Sequence, residues 1–305
     1  MTRLSRHALL LFAALVSTAP LAHAQGPEAR SDASRGRLQP VSAPGGLAHV
    51  GLAGLPAEAP PADAAGLAVV PAPEAPARAL RAAVEAAPMY YAARRAVEVR
   101  TGPGTGGVVT TLGLRDGARV LDGADREWAL VWTEAGRGYA RTAELSNLWI
   151  LIDKSDRTAY VYRGAELADE LPIDVSASEG DKVRRSSLND PTHWRIPEGT
   201  FFVTNRNGRS QYYKAFVLNY PNAEHGARGL RDGLITEAQY EAILAADRES
   251  RRPPMNTRLG GLIEIHGQGT GRGRAWTRGC VALRNVHMDD LWDVVHVGTP
   301  VVIEP

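Results

Sequence analysis

The stretch Gly260-Gly261-Leu262-Ile263-Glu264-Ile265-His266-Gly267-Gln268-Gly269 is followed, after Thr270–Arg274, by Ala275-Trp276-Thr277-Arg278-Gly279-Cys280-Val281-Ala282-Leu283-Arg284-Asn285. Leu262, Ile263 and Ile265 mark a buried strand that delivers His266 at its end, and Thr277–Cys280 reads as a tight turn leading into Val281-Ala282-Leu283. Two element ends can bring an imidazole and a thiol together although they stand fourteen residues apart. An imidazole within reach takes the thiol proton, and a thiolate is the nucleophile that a free cysteine, with its pKa of about 8.5, only partly supplies at neutral pH. Gly279 beside Cys280 leaves the turn's N–H groups open to a developing oxyanion. The plainer alternative makes Cys280 a small core hydrophobe and His266 a hydrogen-bonded strand end. Against it stands the solitude of Cys280: a chain with one Cys has no internal disulfide, so the thiol is free. A zinc set built from His266, Cys280 and either His287 or His296 lacks any recognisable ligand spacing, and neither a metal nor a cofactor is expected.

Outward from this stretch, residues 147–305 alternate strand-like runs with two helical ones. Strands are expected at Leu148–Asp153, Thr200–Thr204, Ala215–Leu218, Leu262–Ile265 and Thr299–Ile303, and helices at Thr236–Ala246 and Val286–Val295. Thr236 with Gln239 three residues on forms a capping box, and Arg251-Arg252-Pro253-Pro254 stops that helix. The partly helical excursion 222–257 is open to two readings, a lid over a groove or surface decoration.

Residues 94–146 carry short Val/Leu/Trp-rich runs between Gly and Asp turns, which predicts five small strands with Val97, Val99, Val108, Val109, Val120, Leu121, Trp128, Leu130, Trp132 and Tyr139 as core candidates. Before them, residues 25–93 are expected to be a tether. Residues 25–90 hold 19 Ala and 10 Pro with no aromatic before Tyr90, a composition that supplies no packed core, although Ala77–Ala87 can form a helix stopped by Pro88. Residues 1–24 have the order of a secretory leader: Arg3 and Arg6, an apolar run from Ala8 to Val16, then Ala22-His23-Ala24. That run is too short to span a bilayer, so the mature chain is expected in the periplasm without a transmembrane anchor. With 35 Lys+Arg against 34 Asp+Glu, a formal charge of +1 gives no basic field for nucleic acid.

The motifs around His266 and Cys280 resemble the signature of the L,D-transpeptidase (YkuD-like) catalytic domain. That signature is a strand ending in His-Gly or His-Ser, then Ser or Thr, any residue, Gly, Cys, a hydrophobe, Arg and a hydrophobe. Here it reads Ile265-His266-Gly267 and Thr277-Arg278-Gly279-Cys280-Val281-Ala282-Leu283, with Pro197-Glu198-Gly199-Thr200-Phe201 and Asn256–Gly261 similar to the family's flanks. Residues 94–146 resemble a bacterial SH3-like domain, with Gly138-Tyr139-Ala140 where many copies read GWV. The resemblance implies a mainly β architecture: a β-sandwich catalytic domain with peripheral helices, plus a small SH3-like barrel.

It also implies a reaction. Cys280 attacks a peptidoglycan tetrapeptide stem at the third residue and expels terminal D-alanine, His266 takes the proton, the Gly267 carbonyl orients the imidazole, and N–H groups around Gly279 and Cys280 hold the oxyanion. Thr277, Arg278, Arg284, Tyr220 and Trp276 are the candidates for substrate contact, with Tyr212, Tyr213 and Asn219 as further groove residues. One departure stands out: Ala282 occupies the position of the family's Arg, and Arg284 sits two residues on. The run WTRGCVALRN is similar to a subgroup that includes an enzyme cleaving the bond between peptidoglycan and an outer-membrane lipoprotein. Three outcomes stay open: a transpeptidase joining stems or attaching a lipoprotein amine, a carboxypeptidase or amidase with the same Cys and His, and a noncatalytic wall-binding protein.

Overall fold

The computed structural model describes residues 74–305, so the expected leader and most of the expected tether lie outside the described residues. Helix α1 (Glu74–Ala86) starts three residues before the expected one and ends ahead of Pro88, whose ring cannot continue a helix. An exposed Arg81–Glu85 pair, one turn apart at 3.0 Å, supports it. The tether boundary at 93 needs correction. Strand β1 (Met89–Ala92) belongs to a sheet, with Tyr91 and Ala92 buried and the Tyr91 hydroxyl donating to Leu148 O at 2.8 Å. Tyr90 and Tyr91 supply the bulky surface that the Ala/Pro stretch before them lacks.

With β1, strands β2 (Val97–Arg100), β3 (Val108–Leu112), β4 (Gly117–Asp122), β5 (Trp128–Thr133), β6 (Gly136–Arg141) and β7 (Leu145–Ser146) form one sheet, in the order β3-β2-β6-β5-β4-β1-β7. Val97, Val99, Val120, Val131 and Ala140 are buried in it. The tryptophans are not. Along β5 the buried residues are Ala129, Val131 and Thr133, which puts Trp128, Leu130 and Trp132 on the opposite, half-buried face. Space decides this, because a Cβ on Gly138 would already stand 2.5 Å from Val99 Cγ1. Trp128 instead lies under the Arg141 guanidinium, 4.8 Å from its ring centre. Val108 is exposed, and Val109, Leu121 and Tyr139 are half-buried.

The rest of the chain runs through β8 (Leu148–Asp153), β9 (Thr158–Arg163), β10 (Glu166–Pro172), β11 (Val175–Ser176), β12 (Gly199–Ser210), β13 (Tyr213–Leu218), α2 (Ala223–Arg231), α3 (Glu237–Arg248), β14 (Glu264–His266), β15 (Ala275–Thr277), β16 (Val281–Ala282), α4 (Asn285–Val294) and β17 (Pro300–Glu304). Eight of these strands pair in the order β10-β9-β8-β17-β12-β13-β14-β16. The long β12 joins two halves: Gly199–Phe202 pair with β17, and from Val203 onward the strand pairs with β13 across bulges. Ile150 and Ile152 of the first half and Phe216, Leu218 and Ile265 of the second share one core, so the mainly β fold expected from the sequence is the one adopted.

Central placement explains why β8 is buried at five of six positions. Leu148, Ile150 and Ile152 face the shared core, while Trp149 and Leu151 meet Val302, Tyr160 and Tyr162 on the other side. Helix α4 covers the second half with Met288 and Leu291, and Trp292 stacks on Phe216 at 5.3 Å. In the 222–257 excursion Ile235 and Ile243 form a separate cluster with Leu259 just beyond it, and both bonds of the Thr236–Gln239 capping box are made. It is tied at several points: Asn222 Nδ2 donates to Thr200 O at 2.9 Å, Arg95 reaches Glu249 O and Ser250 O, and Arg228 pairs with Asp181.

Candidate active site

Strand β14 runs antiparallel to β13 and parallel to β16, with Ile265 opposite Val281 and His266 opposite Ala282. Side chains alternate along a strand, so His266 and Ala282 share a face, and Cys280 stands in the turn immediately before β16. Rings surround His266, which is 2% exposed: Tyr212 stacks on the imidazole at 4.4 Å and Trp276 meets it edge-on at 6.0 Å. The Trp276 indole donates to Asp174 Oδ2 at 2.9 Å. Asp174 is fully buried and also accepts from Thr270 N (2.7 Å), Thr270 Oγ1 (2.8 Å) and Arg274 N (3.0 Å). Burial opposes its charge, but these donors outweigh burial and hold its carboxyl below the usual range. One carboxylate thus fixes the loop that carries Trp276.

His266 Nδ1 lies 2.7 Å from Gly267 O. A carbonyl only accepts, so Nδ1 carries the proton and Nε2 is the free acceptor. Burial lowers the imidazole pKa and the Gly267 bond partly opposes that, which leaves the ring neutral at pH 7.

Cys280 sits in a different setting. Gly279 before it has φ +122°, and a Cβ there would stand 2.7 Å from Arg195 O, so the turn requires glycine twice over. The buried Thr277 closes the turn by donating to Cys280 O at 2.5 Å. The thiol donates to Leu262 O at 3.5 Å, and among the described residues it makes no hydrogen bond to His266. Burial pushes the Cys280 thiol up to about 12, the Glu264 carboxylate adds to this, and the Glu264 N–H and the Lys182 ammonium oppose it. The segment from Lys182 to Arg195 covers this turn. Ser186 Oγ is 3.0 Å from Arg278 O, and the Arg278 guanidinium lies over the Trp194 ring at 4.9 Å.

A family model described as the L,D-transpeptidase catalytic domain (YkuD) matches residues 147–303, just over half of the chain. The chain belongs to the L,D-transpeptidase (YkuD) family. Among solved structures it is similar to Bd1075 of Bdellovibrio bacteriovorus (24% identity, 52% of this chain and 47% of that one, TM-score 0.31). It is also similar to an L,D-transpeptidase from Xylanimonas cellulosilytica (16% identity, 52% and 61%, TM-score 0.31). A third is an L,D-transpeptidase from Mycobacterium tuberculosis (11% identity, 76% and 85%, TM-score 0.33). The chain thus spans 47% of the first of these chains and 61% of the second. No match is found among curated proteins.

In this L,D-transpeptidase domain the expected site residues divide. His266, Gly267, Gly279, Cys280 and Trp276 gather around the β14–β16 pair, and Arg278 is exposed at its edge. Gly267 is packed so closely that a Cβ would stand 2.7 Å from Asn285 Oδ1 and 2.8 Å from Tyr212 O. Two expected substrate contacts need correction. Thr277 points inward as the clamp on Cys280, and Tyr220 is a fully buried core residue whose hydroxyl donates to Leu259 O at 3.2 Å. Asn219 is also internal, accepting from Phe202 N and donating to Asp247. Tyr213 is exposed and donates to Asp289 Oδ1 at 2.8 Å. Arg284 leads into α4 and lines a shallow cleft with Gln268, Thr270 and Asn285. Asp174 and Lys182 were not foreseen: neither belongs to a recognisable motif in sequence, and only packing brings each to the site. Among the described residues no three His, Cys, Asp or Glu side chains converge as a metal set would.

Proposed function

We propose that the chain is a cysteine-dependent L,D-transpeptidase acting on peptidoglycan tetrapeptide stems through a Cys280 thioester. The observation that supports this is the β14–β16 register, which ends one strand at His266 and starts its parallel neighbour immediately after Cys280, with Nδ1 of the imidazole engaged by Gly267 O. Nε2 then takes the thiol proton once Cys280 turns from Leu262 O toward the ring. The thiolate adds to the stem carbonyl, N–H groups of the Gly279 turn receive the oxyanion, and D-alanine leaves with the proton from His266. An amine of a second stem or of a lipoprotein, or water, then takes the acyl group. The small Ala282 beside His266 leaves recognition of the stem to Trp276, Arg278 and Arg284, which border the site. We place the protein outside the cytoplasm on the leader-like order of residues 1–24 and read 89–146 as an SH3-like accessory module. Among the described residues no helix is long and apolar enough to cross a membrane.

The test is mass spectrometry of products from purified tetrapeptide muropeptides. Joined stems with released D-alanine are expected. Shortened or detached peptides alone would make the enzyme a hydrolase on the same two residues, and unchanged muropeptides would end the catalytic reading.

A further inference from the structure

Lys182 is 2% exposed, and an ammonium withdrawn from water needs a counter-charge. The chain's other two lysines have one, Lys154 with Glu198 and Lys214 with Asp289. Lys182 does not: its hydrogen bonds go to Ser186 Oγ at 2.6 Å and His193 O at 3.3 Å, both neutral. The neighbouring Asp181 is engaged by Arg228, the Glu198 N–H and His225. Once ionised, Cys280 would favour the ammonium more than Asp181 does. Its position is built rather than incidental, since Ser186 Oγ also lies 2.9 Å from His193 O and 3.0 Å from Arg278 O, two residues before Cys280.

We propose that Lys182 is a positioning residue that sets the reactivity of Cys280, its buried ammonium favouring the thiolate while Glu264 on the neighbouring strand opposes it. The charged groups that act on the thiol are then Glu264 from β14 and Lys182, with Asp181 behind it, from the covering segment; His266 ends β14 opposite Ala282, and the neighbouring Arg278 guanidinium is turned onto Trp194. The idea rests on Cys280 being the nucleophile, but its test needs no peptidoglycan. Burial lowers the Lys182 pKa to about 8. Below that pH the ammonium is present whether or not the thiol is ionised, so thiolate rises about tenfold per pH unit. Above it, the thiol form has a neutral amine beside it, and the ion pair carries the same number of protons as that form. The thiolate fraction therefore pauses above that pH, for as many pH units as the ammonium lowers the thiol pKa, until ionisation beside the neutral amine takes over.

Cys280 is the only cysteine, so iodoacetamide labelling of the full chain reports on it alone: the thiolate displaces iodide and its proton goes to solvent. Wild-type labelling is expected to climb with pH, pause for about one pH unit above 8 and then climb again. In Lys182→Met the rate at pH 7 should fall about tenfold and the pause should vanish. Lys182→Arg, whose guanidinium keeps its charge, should retain the rate at pH 7 and continue to climb above 8. Glu264→Gln should label faster than wild type. If Lys182→Met loses the wild-type near-UV circular dichroism, Lys182→Arg decides: a break that persists near pH 8 overturns the proposal. Wild-type rates in a folded Lys182→Met also overturn it. Failure of the proposed function would show separately, as muropeptide activity that survives in Cys280→Ala.

Discussion

The two catalytic candidates stand at one strand pair, His266 at the end of β14 and Cys280 just before β16, but their surroundings have little in common. His266 is held among rings, with Tyr212 on its face, Trp276 at its edge and the buried Asp174 behind Trp276. Cys280 is held in a strained glycine turn among charges, between Glu264 and Lys182. Packing fixes direction: the rings leave the imidazole little freedom to turn, and the Gly267 carbonyl selects its tautomer. Charge fixes energy, because the cost of ionising a covered thiol depends on which ions share its surroundings. Of the two candidates, His266 is therefore set by shape and Cys280 by electrostatics.

The harshest test of the division is Cys280→Ala, expected to lower stem-peptide turnover by about 1,000-fold or more while leaving the thermal midpoint near that of wild type. A retained rate would place the chemistry elsewhere. Gly279→Ala strikes the turn itself. With φ +122° and Arg195 O in the way, it should cost about 100-fold in kcat/KM and lower the midpoint of denaturant unfolding, whereas wild-type values would mean that the turn tolerates a side chain.

On the ring side, Asp174→Asn keeps the shape but cannot accept from every donor. About 2 kcal/mol of stability and about tenfold in kcat are expected to go, with labelling of Cys280 unaffected. Altered labelling would show that the two halves of the site are coupled. Acid should act through His266, since protonating Nε2 removes the acceptor. Its folded pKa lies below the ordinary 6.5, so kcat/KM should hold through that value and fall about tenfold per pH unit only below the lowered one. A loss that begins above 6.5 would contradict a buried neutral ring. Trp276→Phe, which keeps an edge against His266 but drops the bond to Asp174, should have the smallest effect, about threefold in kcat. An effect as large as that of Asp174→Asn would mean that the indole bond alone carries the carboxylate's role.

Much of the fold was legible because its signals are local. Leu148–Asp153 is a run of apolar residues that only a strand covered on both faces can bury, and Thr236 with Gln239 writes a helix start within four residues. The phase of β5 was not legible. Trp128, Leu130 and Trp132 look like a core stripe, yet small residues fill the narrow interior and the tryptophans face out, a choice set by the space left between strands. Tyr220 misleads in the opposite sense, since its hydroxyl suggests a groove but finds Leu259 O inside the core.

By itself the sequence determined the elements of the candidate site: a strand ending in His266, a glycine turn presenting a solitary Cys280, and the family pattern that joins them. Those features depend on neighbours along the chain and survive without coordinates. Only the tertiary structure decided which charges and rings stand beside them. Asp174 lies 92 residues before His266 and Lys182 lies 98 before Cys280, and no spacing rule connects them. The electrostatic cost of a thiolate and the orientation of an imidazole are set by distance in space, and that distance is fixed only when the two halves of the β-fold close on one core.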